Sequence, residues 1–322
     1  MKIPLLDMKA QISPIRKEID AAIAKVVDKG DFILGEEVKL FEEDVVKFTG
    51  SKFAIGVSNG TDAITLALEA IGIKKGDSVI CPAFTYFATA GAVIAAGAIP
   101  AFVDIDPKTY CIDAKSIEKH LKLVDGRRQN TRAIIPVHLY GQCADMENIA
   151  DLAKKYGLKV IEDTAQAFGA VFKGRRAGTI ADCGTVSFFP GKNLGALGDA
   201  GMVLTDDNTI AEKIKKLRNQ GADPRDKYNH VLLGHNNRLD TVQAAILRVK
   251  LKYLESWNRR RAENAAYYNK QLGTTGLATP FVPSGNTHIY HQYVLMAKDR
   301  MTRDKIMEHL HQKGIDLSLI HI

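Results

Sequence analysis

The segment SFFPGKNLGALGDAGMV, residues 187–203, contains a single basic residue, Lys192, in apolar and glycine-rich surroundings. A solvated lysine usually lies among other charged residues, whereas this one precedes a strand-like run, MVLT. Removal from water favours the neutral form of a lysine amine, and the neutral amine is a nucleophile. The segment therefore suggests that Lys192 forms a covalent bond with a ligand.

Seven short apolar segments alternate along the chain with segments of helical periodicity. They are FAIGV (53–57), SVIC (78–81), IPAFVDI (99–105), AIIPVH (133–138), KVIED (159–163), TVSFF (185–189) and GMVLT (201–205). This alternation predicts an α/β fold in which a mostly parallel seven-stranded sheet lies between helices. Such sheets bind ligands beyond the carboxyl ends of their strands, so we searched for site residues there.

Helices are predicted on both sides of this alternating region. Pro14 opens a first helix that ends at Gly30, and a second helix follows Gly35. One long helix is predicted over residues 240–272.

Glycine and proline residues cluster after this long helix and predict a domain boundary. We expect a large ligand-binding domain over residues 1–272 and a small α+β domain over 273–322. Within the small domain, residues 291–297 are predicted to form a strand and 302–314 a helix. One strand and one helix cannot bury a core, so the small domain is expected to be truncated.

The composition is that of a globular protein of 322 residues, with 46% hydrophobic and 25% charged residues. Neither a membrane span nor a signal peptide is visible in the sequence. The four cysteines lack a CxxC pair, which favours free thiols in a cytoplasmic protein over a zinc site. The net charge is +7, but the basic residues are dispersed. We therefore expect a phosphate-bearing small molecule as the partner, and neither nucleic acid nor a membrane.

The glycines near Lys192 do not form a known nucleotide-binding loop. A Walker loop would need glycine in place of Val186 and serine or threonine in place of Asn193. The glycines of GALGDAG, residues 195–201, are spaced GxxGxxG and precede a strand, whereas a dinucleotide motif reads GxGxxG and opens a helix.

A more promising phosphate site is SNGTDA, residues 58–63, which follows the strand FAIGV and opens a helical segment. This position places the backbone N–H groups of Gly60 and Thr61 at a helix N-terminus, where anions bind. The alternative interpretation is an ordinary helix cap.

Two further segments carry polar or aromatic residues beyond strand ends. Asp163 closes the strand KVIED, Gln166 follows three residues later, and Tyr86 follows another strand. Asp163 could instead cap a helix, and Tyr86 could be a core aromatic residue. A nucleophilic lysine, an acid for a pyridinium, an aromatic ring for stacking and a phosphate cradle together indicate pyridoxal 5′-phosphate.

These motifs resemble those of the DegT/DnrJ/EryC1/StrS sugar-nucleotide aminotransferases, which are fold type I pyridoxal phosphate enzymes of the aspartate aminotransferase superfamily. The resemblance extends from LLDMKAQ near the N-terminus to about residue 314. Besides the segments above, it is carried by CPAFTYFATAGAV, AFVDIDP, PVHLYGQCADM, VIEDTAQAFGA, LRNQG and GHNNRLDTVQAAIL.

The resemblance implies a role for each residue at the cofactor ring. Lys192 would form the Schiff base with the cofactor aldehyde and later move a proton. Asp163 would pair with the pyridine nitrogen, Gln166 would contact the ring hydroxyl, and Tyr86 would stack on the ring.

The resemblance also implies the phosphate ligands and an oligomeric state. Gly60, Thr61, Asp62 and Ser187 would bind the phosphate within one chain. Asn236, in GHNNRLD, would reach the phosphate site of the neighbouring subunit, which makes the expected enzyme a homodimer with shared active sites.

The activity implied is transfer of an amino group from an amino acid, glutamate being the expected donor, to a nucleotide-linked keto-sugar. Such reactions supply amino sugars for cell-surface polysaccharides or antibiotics. Three alternatives stay open at this point: a sugar dehydratase or decarboxylase, a cyclitol aminotransferase, and a cofactor-binding regulatory protein. The dehydratases of the family carry histidine at the position of Lys192, which favours transamination.

Beyond the KGID motif (313–316) the chain departs from the family, whose members continue with a further segment. We therefore expect the sequence to be a fragment whose last residues are not native. His309 and His311 are expected to be surface histidines, and no metal site is predicted.

Four other residues keep two interpretations each. His138 and His291 either line the sugar pocket or pack in the interior. Arg218 and Arg238 either form structural ion pairs or bind a substrate carboxylate.

Overall fold

The structure is a computed structural model that describes residues 2–124 and 130–319. Its centre is a seven-stranded sheet with the order β1-β9-β8-β5-β4-β2-β3, and β6–β7 and β10–β11 form two small separate sheets. The strands are β1 (Phe53–Val57), β2 (Ser78–Pro82), β3 (Ile99–Val103), β4 (Thr131–Ile134), β5 (Lys159–Asp163), β6 (Val171–Phe172), β7 (Arg175–Arg176), β8 (Cys183–Ser187), β9 (Gly201–Thr205), β10 (Ala222–Asp223) and β11 (Asp226–His230).

The predicted α/β fold with a mostly parallel seven-stranded sheet is confirmed, and each of the seven apolar segments overlaps one of its strands. Only β9 runs antiparallel to its neighbours, β1 and β8. A loop without a helix, residues 188–200, joins β8 to β9. Parallel neighbours usually need a helical crossover, whereas this loop returns the chain directly beside the strand it left.

Helices precede, follow and separate the strands. They are α1 (Met8–Ile12), α2 (Arg16–Lys29), α3 (Glu36–Thr49), α4 (Gly60–Ala70), α5 (Ala88–Ala95), α6 (Ala114–Val124), α7 (Met146–Tyr156), α8 (Asn208–Leu217), α9 (Thr241–Leu251), α10 (Leu254–Leu272) and α11 (Arg300–Gln312), with 3-10 turns at Ser13–Ile15 and Leu139–Gly141. The predicted end of the first long helix is correct, because Gly30 adopts the left-handed conformation (φ +71°) that terminates α2.

Both faces of the sheet are buried. In β2, Val79 and Cys81 contribute to a core shared with α4, α5 and α8, whereas Ile80 contributes to a core shared with α6 and α7. Side chains alternate between the two faces of a strand, so continuous apolar segments such as SVIC are typical of a sheet covered on both sides. A third core packs α3 and α9 against β8 and β9.

The single long helix predicted over residues 240–272 is wrong, because the structure divides it into α9 and α10. The break lies at Lys252 and Tyr253, where the Tyr253 amide donates to the Lys250 carbonyl. The Tyr253 ring stacks on Trp257, and its hydroxyl donates to Glu18 of α2. Neither glycine nor proline marks the break, so periodicity alone could not reveal it.

The strand predicted over residues 291–297 is also wrong. This segment makes one isolated bridge, between Met296 and Ala278. The Gln292 amide donates to the Tyr140 carbonyl, so this part of the backbone bonds to the 3-10 turn Leu139–Gly141 instead of a strand.

The helix predicted nearby agrees with α11, which ends at Gln312. The end of α10 at Leu272 coincides with the predicted domain boundary, and the division into two domains stays a prediction. Residues 320–322 of the predicted small domain lie outside the described residues.

All four cysteines are buried and unpaired. Among residues 2–124 and 130–319, no helix combines the length and apolar character needed to cross a membrane.

Candidate active site

Lys192 lies in the loop that joins β8 to β9. Backbone hydrogen bonds of 2.8 Å fold this loop on itself: Lys192 donates to Phe189, Ala196 donates to Phe188, and Phe188 donates to Ala200. The loop begins beyond the carboxyl end of β8, and its lysine is half-buried. Because this loop connects the end of β8 directly to β9, Lys192 lies beyond the carboxyl ends of the parallel strands, where ligands are expected.

The surroundings of Lys192 lower its basicity. Burial lowers the pKa of this amine from 10.5 to about 8, and the nearby Asp163 carboxylate opposes part of that decrease. Desolvation disfavours the ammonium form and exceeds the attraction of the acid. At pH 7 about a tenth of Lys192 is therefore neutral, and so nucleophilic, whereas an ordinary lysine is almost entirely protonated.

Asp163 is the last residue of β5, and its side chain is buried. One carboxylate oxygen accepts a hydrogen bond of 3.0 Å from the Thr89 hydroxyl, and the other accepts one of 3.1 Å from the Ala165 amide. These two bonds fix the orientation of the carboxylate. Thr89 was not among the residues predicted from the sequence, although a threonine within the apolar helix α5 was a possible signal.

The N-terminus of α4 forms a cradle beside the loop that contains Lys192. Asn59 caps the helix by accepting a 2.9 Å hydrogen bond from the Asp62 amide, and the amides of Gly60 and Thr61 have no partner within the helix. A Cβ atom on Gly60 would lie 2.6 Å from the Ser187 Cβ, so only glycine allows this approach. The cradle therefore joins two N–H donors to the Ser187 hydroxyl and suits an anion.

Asp62, predicted as a phosphate ligand, has its polar atoms engaged within the turn. Its carboxylate accepts hydrogen bonds from the Ser58 hydroxyl and, at 2.7 Å, from the Asn59 side chain. An anionic side chain would also repel a phosphate, so Asp62 supports the geometry of the cradle.

Gln166 follows Asp163 by three residues in the chain, and Tyr86 is connected to Asp163 through Thr89, which bonds to both. The Tyr86 carbonyl accepts a bond of 3.2 Å from the Thr89 amide, and the tyrosine side chain is 59% exposed. The Gln166 side-chain oxygen accepts a bond of 2.7 Å from the Tyr140 amide. The exposure of Tyr86 contradicts its interpretation as a core aromatic residue.

Asn236 has an exposed side chain in the segment that precedes α9. The next residues run beside the end of β1, where the Ser58 amide donates to the Asn237 carbonyl at 3.1 Å and Arg238 bridges Val57. Asn236 therefore lies on the surface close to the end of β1, the strand that precedes the α4 cradle. Its contact with a second subunit stays a prediction.

His138 packs in the interior and does not line a pocket. It is fully buried, its Nδ1 accepts a hydrogen bond from the Ala144 amide at 3.1 Å, and its Nε2 lies 2.9 Å from Glu162. Because Nδ1 is an acceptor, the ring proton resides on Nε2 and is donated to the carboxylate. The same carboxylate accepts hydrogen bonds from three backbone amides, those of Gly178, Ile180 and Ala181.

His291 lies beside the lysine loop, since its Nδ1 is 3.1 Å from the side-chain oxygen of Asn193. Asn193 also donates to Asn258 and to the Ile289 carbonyl. These contacts join the residue after Lys192 to the segment that precedes the small-domain helix.

The two arginines have structural partners. Arg218 is buried and donates to Glu42 at 2.6 Å and to the Gly56 carbonyl at 2.7 Å, which favours the ion-pair interpretation. Arg238 donates to the side chain of Asn219 at 3.1 Å. His309 and His311 are exposed, and the part of the chain that the structure describes contains no cluster of three or more potential metal ligands among histidine, cysteine and acidic residues.

The lowered pKa of Lys192 predicts how its reactivity depends on pH. In the cofactor-free protein, labelling by an amine-reactive reagent should accelerate about tenfold per pH unit below 8 and level off above it, because the neutral amine reacts. Peptide mapping by mass spectrometry measures the rate at this residue alone. A rate that keeps rising to pH 10 would show that the amine is not desolvated.

The chain is similar to proteins of a known family. The family model for the DegT/DnrJ/EryC1/StrS aminotransferase family matches residues 13–322. The pleiotropic regulatory protein of Geobacillus stearothermophilus is 45% identical over 98% of this chain and 82% of its own length. The UDP-N-acetyl-3-dehydro-alpha-D-glucosamine 3-aminotransferase of Acidithiobacillus ferrooxidans is 43% identical over 97% and 82%.

Among solved structures, DesV of Streptomyces venezuelae in complex with a ketimine intermediate superposes with a TM-score of 0.92. It is 41% identical, and the match covers 98% of this chain and 82% of DesV.

Proposed function

Because the chain belongs to the DegT/DnrJ/EryC1/StrS aminotransferase family, we propose that it transfers an amino group from an amino acid to the keto group of a nucleotide-linked sugar. The chain is a pyridoxal 5′-phosphate-dependent aminotransferase. The finer assignments below, which concern individual residues, the amino donor and the assembly, are proposals that rest on the geometry of the site.

The observation that carries the proposal is the juxtaposition of Lys192 and Asp163. The Lys192 amine is half-buried, its pKa is about 8, and the buried Asp163 carboxylate is close enough to affect that pKa. Both residues lie at the end of the sheet where the α4 cradle also lies. A reactive amine and a separate, rigidly held acid meet the two chemical demands of this cofactor.

The residues present fit the cofactor. The α4 cradle excludes a side chain at Gly60 and offers donors for a phosphate, and Asp163 is held by Thr89 with its carboxylate charge available to a ring nitrogen. When bound, pyridoxal 5′-phosphate supplies an aldehyde that reacts with amines. It also supplies a protonated ring that withdraws electrons from the amine-bearing carbon of the substrate.

We assign the remaining steps to side chains of this protein. Lys192 would hold the cofactor covalently through its Nζ, and the same amine, once released, would carry a proton between the amine-bearing carbon of the substrate and the carbon of the cofactor's aldehyde group. Asp163 keeps a proton on the ring nitrogen. Tyr86 presents its exposed ring for stacking, and Gln166 contacts the ring hydroxyl.

The proposed amino donor is glutamate, and the proposed acceptor is a nucleotide-linked 3-keto or 4-keto sugar. The keto position follows from the family and from the relative in Acidithiobacillus ferrooxidans, whose substrate is a UDP-linked 3-keto sugar by name. The net charge of +7 would favour approach of a nucleotide diphosphate.

The assembly we propose is a homodimer in which Asn236 completes the neighbouring phosphate site. Several large apolar side chains are exposed in the single chain, and a second subunit would cover them. They are Phe87 (78% exposed), Tyr228 (81%), Val231 (49%) and Leu233 (92%).

Incubation of the protein and cofactor with glutamate and a panel of nucleotide keto-sugars tests this function. We expect glutamate alone to change the visible spectrum of the bound cofactor, and one keto-sugar to gain an amine, detected by product mass. Sedimentation of the same sample should give the mass of a dimer.

The outcome also separates the alternatives. A product that has lost water would identify a dehydratase, amination of a free cyclitol ketone would identify a cyclitol aminotransferase, and loss of carbon dioxide would identify a decarboxylase. A bound cofactor that does not respond to glutamate would favour a regulatory protein, the description that the Geobacillus stearothermophilus relative carries.

A further inference from the structure

A second lysine, Lys250 of α9, is fully buried and has no part in the chemistry assigned above. Burial lowers the pKa of its amine from 10.5 to about 8, so the protonated form still predominates at neutral pH. Burying an ammonium group costs free energy, and a hydrophobic residue of similar volume is often at least as stable in such a position. A reason for the presence of this charge is therefore needed.

An ion pair does not supply that reason. Within the described residues, no carboxylate lies within salt-bridge distance of Lys250, whereas its helix neighbours are paired: Arg248 with Glu37 and Asp44, and Lys252 with Glu18. The hydrogen bond made by the Lys250 ammonium goes to the backbone carbonyl of Gly195. That carbonyl belongs to the loop that contains Lys192.

Gly195 is the point at which this loop crosses itself. A Cβ atom on Gly195 would overlap the Pro190 carbonyl group, so the two backbone segments are in direct contact there. Lys192 lies between these two residues in sequence. The hydrogen bond from Lys250 to the Gly195 carbonyl therefore restrains the base of the turn that presents Lys192.

A second residue of the same helix contacts the same loop. The Gln243 side-chain oxygen accepts a hydrogen bond of 2.9 Å from the Leu197 amide. Gln243 and Lys250 are seven residues apart, which places them on one face of α9 about two turns from each other. One face of α9 thus supports the loop at two points, one through an amide and one through a charged donor.

We propose that Lys250 is a positioning residue whose ammonium group, bonded to the Gly195 carbonyl, fixes the loop that presents Lys192 to Asp163. The charge is useful because a hydrogen bond from an ammonium is roughly twice as strong as one between neutral groups. The proposal rests on the proposed function, because it gives Lys250 a part in arranging the residue that binds the cofactor.

The test uses Lys250→Met, which keeps the length of the side chain and removes the donor, with Lys252→Met as the exposed control immediately after the same helix. The first measurement needs no cofactor: the pH midpoint for labelling of Lys192. A loosened loop admits water, so the midpoint should move upward from about 8 by about half a unit or more in Lys250→Met. In the control it should not move.

The second measurement is the dissociation constant of pyridoxal 5′-phosphate, followed by absorbance. We expect it to rise about tenfold in Lys250→Met, because displacement of a reacting group by about 1 Å has effects of this size or larger. The melting temperature should stay equal or increase, since a buried charge has been removed.

Gln243→Met provides a variant that removes the other support without changing a charge. It should move the labelling midpoint of Lys192 in the same direction, which an electrostatic effect of Lys250 alone would not produce. It also keeps the proposal testable if Lys250→Met does not fold, since an unchanged midpoint in Gln243→Met would then overturn it. A folded Lys250→Met protein with the midpoint and cofactor affinity of the original chain would equally overturn it.

Failure of the proposed function has a different signature. The unaltered protein would then aminate none of the nucleotide keto-sugars, whereas the labelling and cofactor-affinity measurements would still report on Lys250.

Discussion

Replacement of Lys192 by alanine should lower kcat for transamination by at least about 10⁴-fold, because this residue is proposed to supply both a nucleophile and a proton-transfer group. Borohydride should trap the cofactor on the original protein and leave the Lys192→Ala chain unlabelled. Removal of a half-buried amine should leave the melting temperature unchanged or slightly higher, which distinguishes loss of chemistry from loss of structure.

Lys192→Arg sharpens this test. Arginine keeps the positive charge but is effectively always protonated, so it cannot provide a neutral amine, and it should be as inactive as alanine. Lys305→Ala, which changes an exposed lysine of α11, is the matched control and should leave turnover unchanged. Residual activity within 100-fold of the original in Lys192→Ala would contradict the assignment.

Replacement of Asp163 by asparagine should lower kcat by at least about 100-fold while the cofactor is still trapped on Lys192. The amide has the shape of the carboxylate but carries no charge, so it cannot keep a proton on the ring nitrogen. Loss of a preorganised electrostatic partner in an active site has effects of this order. The decrease should appear in kcat, with a smaller change in KM for the sugar.

The same variant makes a second, independent prediction about Lys192. The Asp163 carboxylate raises the pKa of that amine against the effect of burial, so its removal should lower the labelling midpoint below about 8. Thr89→Ala, which leaves the charge and removes one hydrogen bond, should give a smaller decrease in kcat. Unchanged kcat and an unchanged midpoint in Asp163→Asn would show that the two groups do not interact.

Much of the fold could be predicted because the responsible interactions are repeated along the chain. The alternation of buried strands and amphipathic helices is a local pattern, and it predicted the seven strands of the central sheet and their mostly parallel arrangement. The glycine that ends α2 and the helix N-terminus at Gly60 were equally predictable, since backbone conformation and capping depend on neighbouring residues.

The errors arose where a distant contact decided the outcome. Residues 291–297 contain the apolar run YVLMA, as a strand would, but Gln292 bonds to the loop at Tyr140. At the break between α9 and α10, the Tyr253 hydroxyl donates to Glu18 of α2, which is far away in the chain. Neither contact leaves a signal in the local sequence.

The same distinction applies to the candidate site. The chemistry proposed for the site could be predicted from local sequence, because one lysine in an apolar loop, one acid at a strand end and a glycine at a helix N-terminus can be recognised from their neighbours. The basicity of Lys192, the orientation of Asp163 by Thr89, the interior position of His138 and the contact of Lys250 with the lysine loop became visible only in the folded chain. Burial and hydrogen bonding between residues far apart in the chain exist only once the sheet has assembled, and these two quantities set pKa values and fix side chains in place.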